Sequence, residues 1–342
     1  MTRIRWSKAR DWKRPEGIPE GSVLSVFRVP PEVAGQRVDV FMQSQLKRTS
    51  RTRAQYIVKN SAYDATGRHL RPGERVQAQQ HVLLGRPPWD ETPVPTDIPV
   101  IYEDEHLLAV SKPSGVPVHP TARYHKNTVI KLLEEQRPDQ WLSLGHRIDR
   151  ETSGVLLLSK SAACDRELKK ALEARDGIEK TYEAFTWGIP QGGAATFRVD
   201  SPLELDVASK TKVKMRIGIT ENALEAGTIF HLVATTRHGG RDYARLRCDL
   251  LTGRQHQIRV HLASIGTPIV GDKLYGPDEE LFARGADGEL TDEDLIELEH
   301  PRHALHAARL SLTHPILRTP LVIEAPLPED LADLWDRLSS KD

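Results

Sequence analysis

The stretch His146-Arg147-Ile148-Asp149-Arg150-Glu151-Thr152-Ser153-Gly154 runs directly into Val155-Leu156-Leu157-Leu158. The second part is an apolar run of core-strand length. The first part crowds arginines, an aspartate, a threonine, a serine and a glycine at the entrance to that strand. Loops at strand ends present side chains while the sheet behind holds them rigid, so this polar density suits a functional site. An aspartate there can serve as nucleophile or base if neighbouring cations keep it ionised. The same residues fit a capping loop in which Asp149 and Thr152 bond backbone amides. Spacing alone favours neither.

Downstream lies a second dense stretch, Thr252-Gly253-Arg254-Gln255-His256-Gln257-Ile258-Arg259-Val260-His261-Leu262. On a helix, Gln255, Arg259 and Leu262 share one face, as do His256 and Val260. Arg259 is then set to pair with a carboxylate from another segment, although a surface arginine on an amphipathic helix has the same spacing. His256, His261, His303 and His306 invite a metal site. His256 and His261 are five positions apart, however, poor spacing for two ligands on one helix face, so no metal is expected. Ser153 lacks the Gly-x-Ser-x-Gly frame of a serine hydrolase.

Around these stretches, strand candidates (107–109, 154–158, 180–187, 228–234, 244–250, 321–325) are interspersed with helix candidates (127–136, 161–174, 255–265, 330–338). No regular strand–helix–strand alternation appears, so the expected class is α+β with a mixed sheet. A chain of 342 residues has room for about two domains. Residues 86–97 hold four prolines in twelve positions and read as a semi-rigid linker. They separate a small domain at 23–85 from a large one at 98–330. Residues 1–22, with Trp6 and Trp12 among Arg and Lys, are expected as a basic tail ordered only in part, and 331–342 as a closing helix and tail.

No apolar run approaches the roughly 18 residues of a membrane span. No apolar segment follows the charged N-terminus, and two cysteines cannot build a disulfide framework. A cytoplasmic protein is expected. The zero net charge averages unlike regions. Residues 24–85 hold ten Lys/Arg against four Asp/Glu, whereas 276–299 hold ten Asp/Glu against one Arg, read as an acidic surface loop and helix.

In the small domain Val38, Phe41, Met42 and Leu46 fall near helical spacing, and a second helix is expected over Thr52–Lys59. Lys47, Arg48, Arg51 and Arg53 gather at its start, where Thr49 or Ser50 would cap. Helix starts with adjacent arginines suit phosphate contacts, and a solvated basic face has the same composition. Gly67, Pro72 and Gly73 punctuate short strands ending in Val76 and Val82-Leu83-Leu84.

Gly35-Gln36-Arg37-Val38-Asp39-Val40-Phe41, Ser50-Arg51-Thr52 and Pro72-Gly73-Glu74 resemble the motifs of the S-four-type RNA-binding domain. The hairpin usual in that domain is replaced by Ser61-Ala62-Tyr63-Asp64-Ala65-Thr66-Gly67. The larger region resembles the RluA family of pseudouridine synthases. Its His-Arg-[Leu/Ile]-Asp-x-x-Thr-Ser-Gly signature is met at 146–154, its Lys-x-Tyr-x-Ala motif at Lys180–Ala184, and its third motif at Thr252–Leu262, with Pro268-Ile269-Val270-Gly271-Asp272 following and Arg-x-x-Leu-His-Ala closing at 302–307.

The resemblance implies a pseudouridine synthase fold, with a mixed, largely antiparallel sheet and a small α/β RNA-binding domain before it. It implies isomerisation of uridine in RNA without cofactor, by a monomer, with large-subunit ribosomal RNA favoured. Transfer RNA, or a non-catalytic RNA-binding role, is the alternative. Asp149 matches the catalytic aspartate, Arg259 its expected ion partner, and Tyr182 the residue against the uracil ring. Arg147 would fill the stack a flipped base leaves. Arg150, Lys180 and Arg254, with Arg51 and Arg53 in the small domain, complete the expected RNA-facing set; Lys180 would also support the pocket wall. His146 is expected as a hydrogen-bonded structural residue, and Thr152, Ser153 and Gly154 as shaping the loop.

Overall fold

The computed structural model describes residues 14–46, 49–87, 90–121, 123–174 and 177–340. The chain divides into two compact units, residues 1–91 and 92–342.

The small unit contains β1 (Val23–Arg28), α1 (Val38–Gln45), α2 (Arg51–Ser61), β2 (Ala62–Tyr63) and β3 (His81–Arg86). Its antiparallel sheet has the order β1-β3-β2. Val38, Phe41 and Met42 of α1 and Val58 of α2 pack with Phe27, Val82 and Leu84 of the sheet. Ser50 caps α2 by accepting a hydrogen bond from the Arg53 N–H at 3.2 Å. Arg51 and Arg53 stand exposed on its first turn, while Lys47 and Arg48 lie outside the described residues.

Asp39 is fully buried in this unit. Its carboxylate accepts from Arg37 Nε and Nη2 and from Gln55 Nε2, each at 2.9 Å, and from the Val40 N–H at 3.0 Å. The hydrogen bond from Arg37, opposed by burial and aided by Gln55, holds the carboxyl down at about 2. Because the folded value lies below the ordinary 3.8, Asp39 stabilises the unit above that pH and the contribution is lost as pH falls toward about 2. Asp39→Asn is expected to destabilise by about 1–3 kcal/mol, since it leaves Arg37 without its charge partner and an amide without matching donors. Urea unfolding at pH 7 measures this, and equal midpoints would refute it.

The described part of the N-terminal segment is ordered: Arg14 donates to the carbonyls of Pro19 and Ser22 at 2.6 Å each, and Ile18 is buried against Val26, Tyr63 and Leu83. Trp6 and Trp12 lie outside the described residues. Strand β1 was not foreseen, because Ser25 and Arg28 dilute its apolar pattern. Val76 belongs to no strand; it is buried and its N–H bonds the Gln36 carbonyl at 2.9 Å.

The large unit runs through β4 (Val100–Glu103), β5 (Leu107–Lys112), α3 (Val129–Gln136), β6 (Ser143–Leu144), β7 (Ser153–Ser159), α4 (Ala162–Ala174) and β8 (Glu179–Trp187). It continues with β9 (Thr196–Val199), β10 (Leu203–Leu205), β11 (Met215–Ile217), β12 (Thr228–His238), β13 (Arg241–Leu250) and α5 (Gln257–Ser264). It closes with α6 (Glu280–Asp287), α7 (Asp292–Leu298), β14 (Leu305–Thr313), β15 (Pro320–Glu324) and α8 (Glu329–Ser339).

The main sheet has the order β4-β5-β7-β14-β8-β13-β12-β9, with β6 added to β7 and β15 to β14. The β7–β14 pair is parallel and its other pairs are antiparallel. The fold is therefore α+β with a mixed, mostly antiparallel sheet. Every residue of β7 is buried. Leu156 and Leu158 face a core shared with α3, α5 and α8, while Val155 and Leu157 face one shared with α4. Alternate side chains of a strand point to opposite faces, so an uninterrupted apolar run is what a strand covered on both faces needs.

Strand β14, between β7 and β8, was missed: its Leu-His-Ala-Ala-Arg opening has no β-branched residue. Helix α8 is no separate tail, since Leu331, Leu334 and Leu338 enter the core of the large unit. The acidic segment forms two short helices, tied by Arg284 to Asp294 at 2.8 and 2.9 Å.

Where β7 meets β14, Gly154 pairs with Ala307 and has φ +110°. A Cβ there would lie 2.2 Å from the Ala307 carbonyl oxygen, which is backbone and cannot yield. Gly154→Ala is therefore expected to cost more than about 2 kcal/mol, through strain at positive φ and separation of the strands. Chemical denaturation checks this, and a loss below about 0.5 kcal/mol would contradict it.

Candidate active site

The loop from His146 to Thr152 is fixed from behind before β7 begins. Lys112, fully buried at the end of β5, donates from Nζ to the carbonyls of Pro113, Val116 and Arg150 at 2.7, 3.0 and 2.9 Å. Burial pushes its ammonium well below its ordinary value. The Glu151 carbonyl accepts from Ser114 Oγ at 2.9 Å and Arg302 Nη1 at 3.1 Å. Thr152 Oγ1 bonds His303 Nε2 at 2.8 Å, and Ser153 Oγ bonds His306 Nδ1 at 2.9 Å. These contacts leave the Asp149 side chain 22% exposed, facing α5.

Helix α5 begins at Gln257, one residue after His256, whose φ of 57° is left-handed. Gln255 and His256 therefore precede the helix and do not share faces with Arg259 and Val260 as expected. Arg259 stands on the first turn, and its partners divide its fork. Nε and Nη2 donate to Asp272 at 2.7 and 2.8 Å, and Nη1 donates to Asp149 at 3.0 Å. Asp272 is fully buried and also accepts the N–H groups of Leu274 and Tyr275 at 2.9 and 3.1 Å. Gly271 makes this turn possible, with φ +75° and a Cβ position 2.1 Å from the Arg302 carbonyl oxygen. Asp272 thus orients the guanidinium, and Nη1 reaches the half-buried Asp149 carboxylate.

Burial alone would raise the Asp149 carboxyl, but the charges of His256 and Arg259 and the hydrogen bond from Arg259 outweigh it and hold it below its ordinary value. The lasting cation is Arg259, because burial pushes His256 down to about 4 and leaves it neutral at pH 7. Burial also disfavours the Arg259 charge, yet the Asp272 carboxylate more than offsets this and keeps it protonated.

Tyr275 ties this cluster to the β10–β11 hairpin. The Met215 N–H donates to its hydroxyl oxygen at 2.9 Å, and that hydroxyl lies 2.8 Å from His256 Nδ1. His256 Nε2 lies 3.9 Å from Asp149 Oδ1. The Tyr275 ring lies 5.0 Å from the Arg259 guanidinium.

Tyr182 on β8 walls the same cleft, a space of about 130 Å³ also lined by Arg147, Asp149, Arg254, His256 and Arg259. Burial, with the Asp149 charge, raises its hydroxyl above the ordinary value and keeps it protonated. Arg147 is exposed at the rim, and Arg254 donates Nε to the Glu225 carbonyl at 3.0 Å. Arg150 does not join them: it turns to the Tyr124 hydroxyl at 2.9 Å and to Glu151 at 3.2 Å. Lys180 lines an adjoining cavity. Arg51 and Arg53 belong to the small unit. His146 accepts the Leu157 N–H at Nε2 (3.2 Å), and burial pushes it down to about 3.

Asp272, Tyr275, His256 and Lys112 went unassigned from sequence. Asp272 was visible as the end of the run Pro268–Asp272, but nothing in its spacing pointed to Arg259. Among the described residues, no three His, Cys, Asp or Glu side chains converge to hold a metal, and no helix is long and apolar enough to cross a membrane.

The family described as RNA pseudouridylate synthase matches residues 106–264. The chain is 34% identical over 334 residues to ribosomal large subunit pseudouridine synthase D of Xanthomonas campestris pv. campestris, covering 94% of each chain. It is 30% identical over 318 residues to the Pseudomonas aeruginosa protein of that name, covering 90% of this chain and 92% of the relative. Among solved structures, human RNA pseudouridylate synthase domain containing 4 superposes with a TM-score of 0.54 at 25% identity, covering 70% of this chain and 92% of that one. With this fold, and with these relatives spanning nearly its whole length, the chain belongs to the RNA pseudouridylate synthase family and is an isomerase.

Proposed function

We propose that the chain converts uridine in large-subunit ribosomal RNA to pseudouridine, with Asp149 as the reacting carboxylate. One observation carries this reading: Arg259, oriented by Asp272, delivers an Nη1 N–H to Asp149 at the mouth of a cleft walled by Tyr182. In the reaction the bond from uracil N1 to the sugar C1′ breaks and a bond from C5 to C1′ forms. The C5 proton is lost and N1 gains one, so the product is an isomer and no redox partner is needed. Whether Asp149 attacks the sugar or removes its 2′ proton, it must be ionised, and Arg259 supplies the counter-charge.

The target base leaves its stack to enter the cleft, at a cost of roughly a few kcal/mol. Arg147, exposed at the rim, fills the vacated place with its planar guanidinium. Tyr182 lies against the uracil, and its protonated hydroxyl helps move the C5 proton. The small unit acts as an S-four-type module that docks RNA through Arg51 and Arg53 on α2, and the protein works as a monomer in the cytoplasm. The ribosomal target rests on the names of the relatives.

Unmodified large-subunit ribosomal RNA and transfer RNA, each incubated with the protein, separate the substrates: pseudouridine is expected in the ribosomal RNA. Its appearance only in transfer RNA would overturn the target. Tyr182→Phe is expected to slow single-turnover conversion by about 10²-fold with little change in RNA affinity. An unchanged rate would restrict Tyr182 to stacking.

A further inference from the structure

Lys180 precedes Tyr182 by two residues on β8, so both side chains leave the same face of the sheet. Lys180 lines a cavity of about 320 Å³ beside the Asp149 cleft, and Leu250, Gly253 and Arg254 wall both spaces. Among the described residues Lys180 makes no ion pair and no hydrogen bond, and burial pushes its ammonium down to about 8. The carboxylate at the cavity's edge, Glu173, is exposed and not paired with it. A half-buried ammonium with no counter-ion beside it is stabilised when an anion arrives. Arg254 is held by its Nε bond to the Glu225 carbonyl, and the space beside Gly253 is open, so a ligand can approach the backbone there.

We infer that this cavity is a phosphate subsite, holding the phosphodiester of a nucleotide next to the target uridine between Lys180 and Arg254. The inference rests on the pseudouridine synthase reading of the adjoining cleft and adds a strand contact to it. Its purpose is register: a backbone phosphate fixed one pleat repeat from Tyr182 aligns the flipped base with Asp149.

The test uses the full chain as wild type, Lys180→Met and Lys180→Arg, with a labelled ten-nucleotide oligouridylate titrated across a series of KCl concentrations. Lys180→Met is expected to bind about tenfold more weakly at the lowest salt and to flatten the dependence of log affinity on log salt by about 0.7, one phosphate contact on a single strand. Lys180→Arg keeps the slope. Without RNA, Lys180→Met is expected to melt at the wild-type temperature or above it, because an uncompensated charge has been removed. A lower melting point with an unchanged slope would make Lys180 a structural support and overturn the subsite. Pseudouridine formation on unmodified large-subunit RNA is measured alongside. An active wild type with an unaffected Lys180→Met sinks the subsite alone, whereas an inactive wild type sinks the reading beneath it as well.

Discussion

Replacing Arg259 with leucine is expected to cost about 3–5 kcal/mol of stability and to abolish pseudouridine formation. The stability loss comes from Asp272, which is fully buried and would keep only the N–H groups of Leu274 and Tyr275 as donors. The activity loss comes from Asp149: without its lasting cation, burial drives the carboxyl toward the neutral acid. The pH dependence should change sign. In wild type both carboxyls sit below their ordinary values, so they stabilise above the ordinary carboxylate range and the contribution is lost as pH falls through the lowered values. In Arg259→Leu both are raised by burial, so stability should fall as pH rises through that range. Arg259→Lys separates charge from geometry. A single ammonium cannot serve both Asp272 oxygens and Asp149 together, and at least about a tenfold loss in rate is expected even where the fold survives. Urea unfolding between pH 4 and 8 with single-turnover assays reads all of this; an Arg259→Leu protein of wild-type stability and activity would refute the role given to the ion cluster.

How much could be read in advance depended on whether the signal was local. Val155–Leu158 announced a strand because both faces of β7 are covered and polar positions have no place in it. Strand β14, equally central, stayed hidden because its composition is not that of a strand and its place between β7 and β8 is set by long-range pairing. Asp149 and Arg259 lie 110 residues apart, and only the order of known motifs suggested that they meet. That order did not show why Arg259 points the right way, because Asp272 and Tyr275 act through a turn that a positive-φ glycine allows. Nor could spacing show that Arg150 would turn to Tyr124, or that His256 would sit before α5 with Nε2 3.9 Å from the Asp149 carboxylate.

Asp149→Asn isolates the carboxylate itself. Asparagine keeps the size and one acceptor, and Arg259 keeps both bonds to Asp272, so the fold should survive with a melting point within a few degrees of wild type. RNA affinity should change little, because the proposed phosphate and stacking contacts do not involve this carboxylate. The chemical step should fail, since an amide neither attacks the sugar nor removes its proton, and a loss of at least about 10³-fold is expected. The direct measurement is therefore the single-turnover rate of pseudouridine formation on unmodified large-subunit RNA, wild type beside Asp149→Asn. Rapid conversion by wild type, with none detectable for a folded, RNA-binding variant, is the expected result. Conversion by Asp149→Asn at the wild-type rate would contradict it.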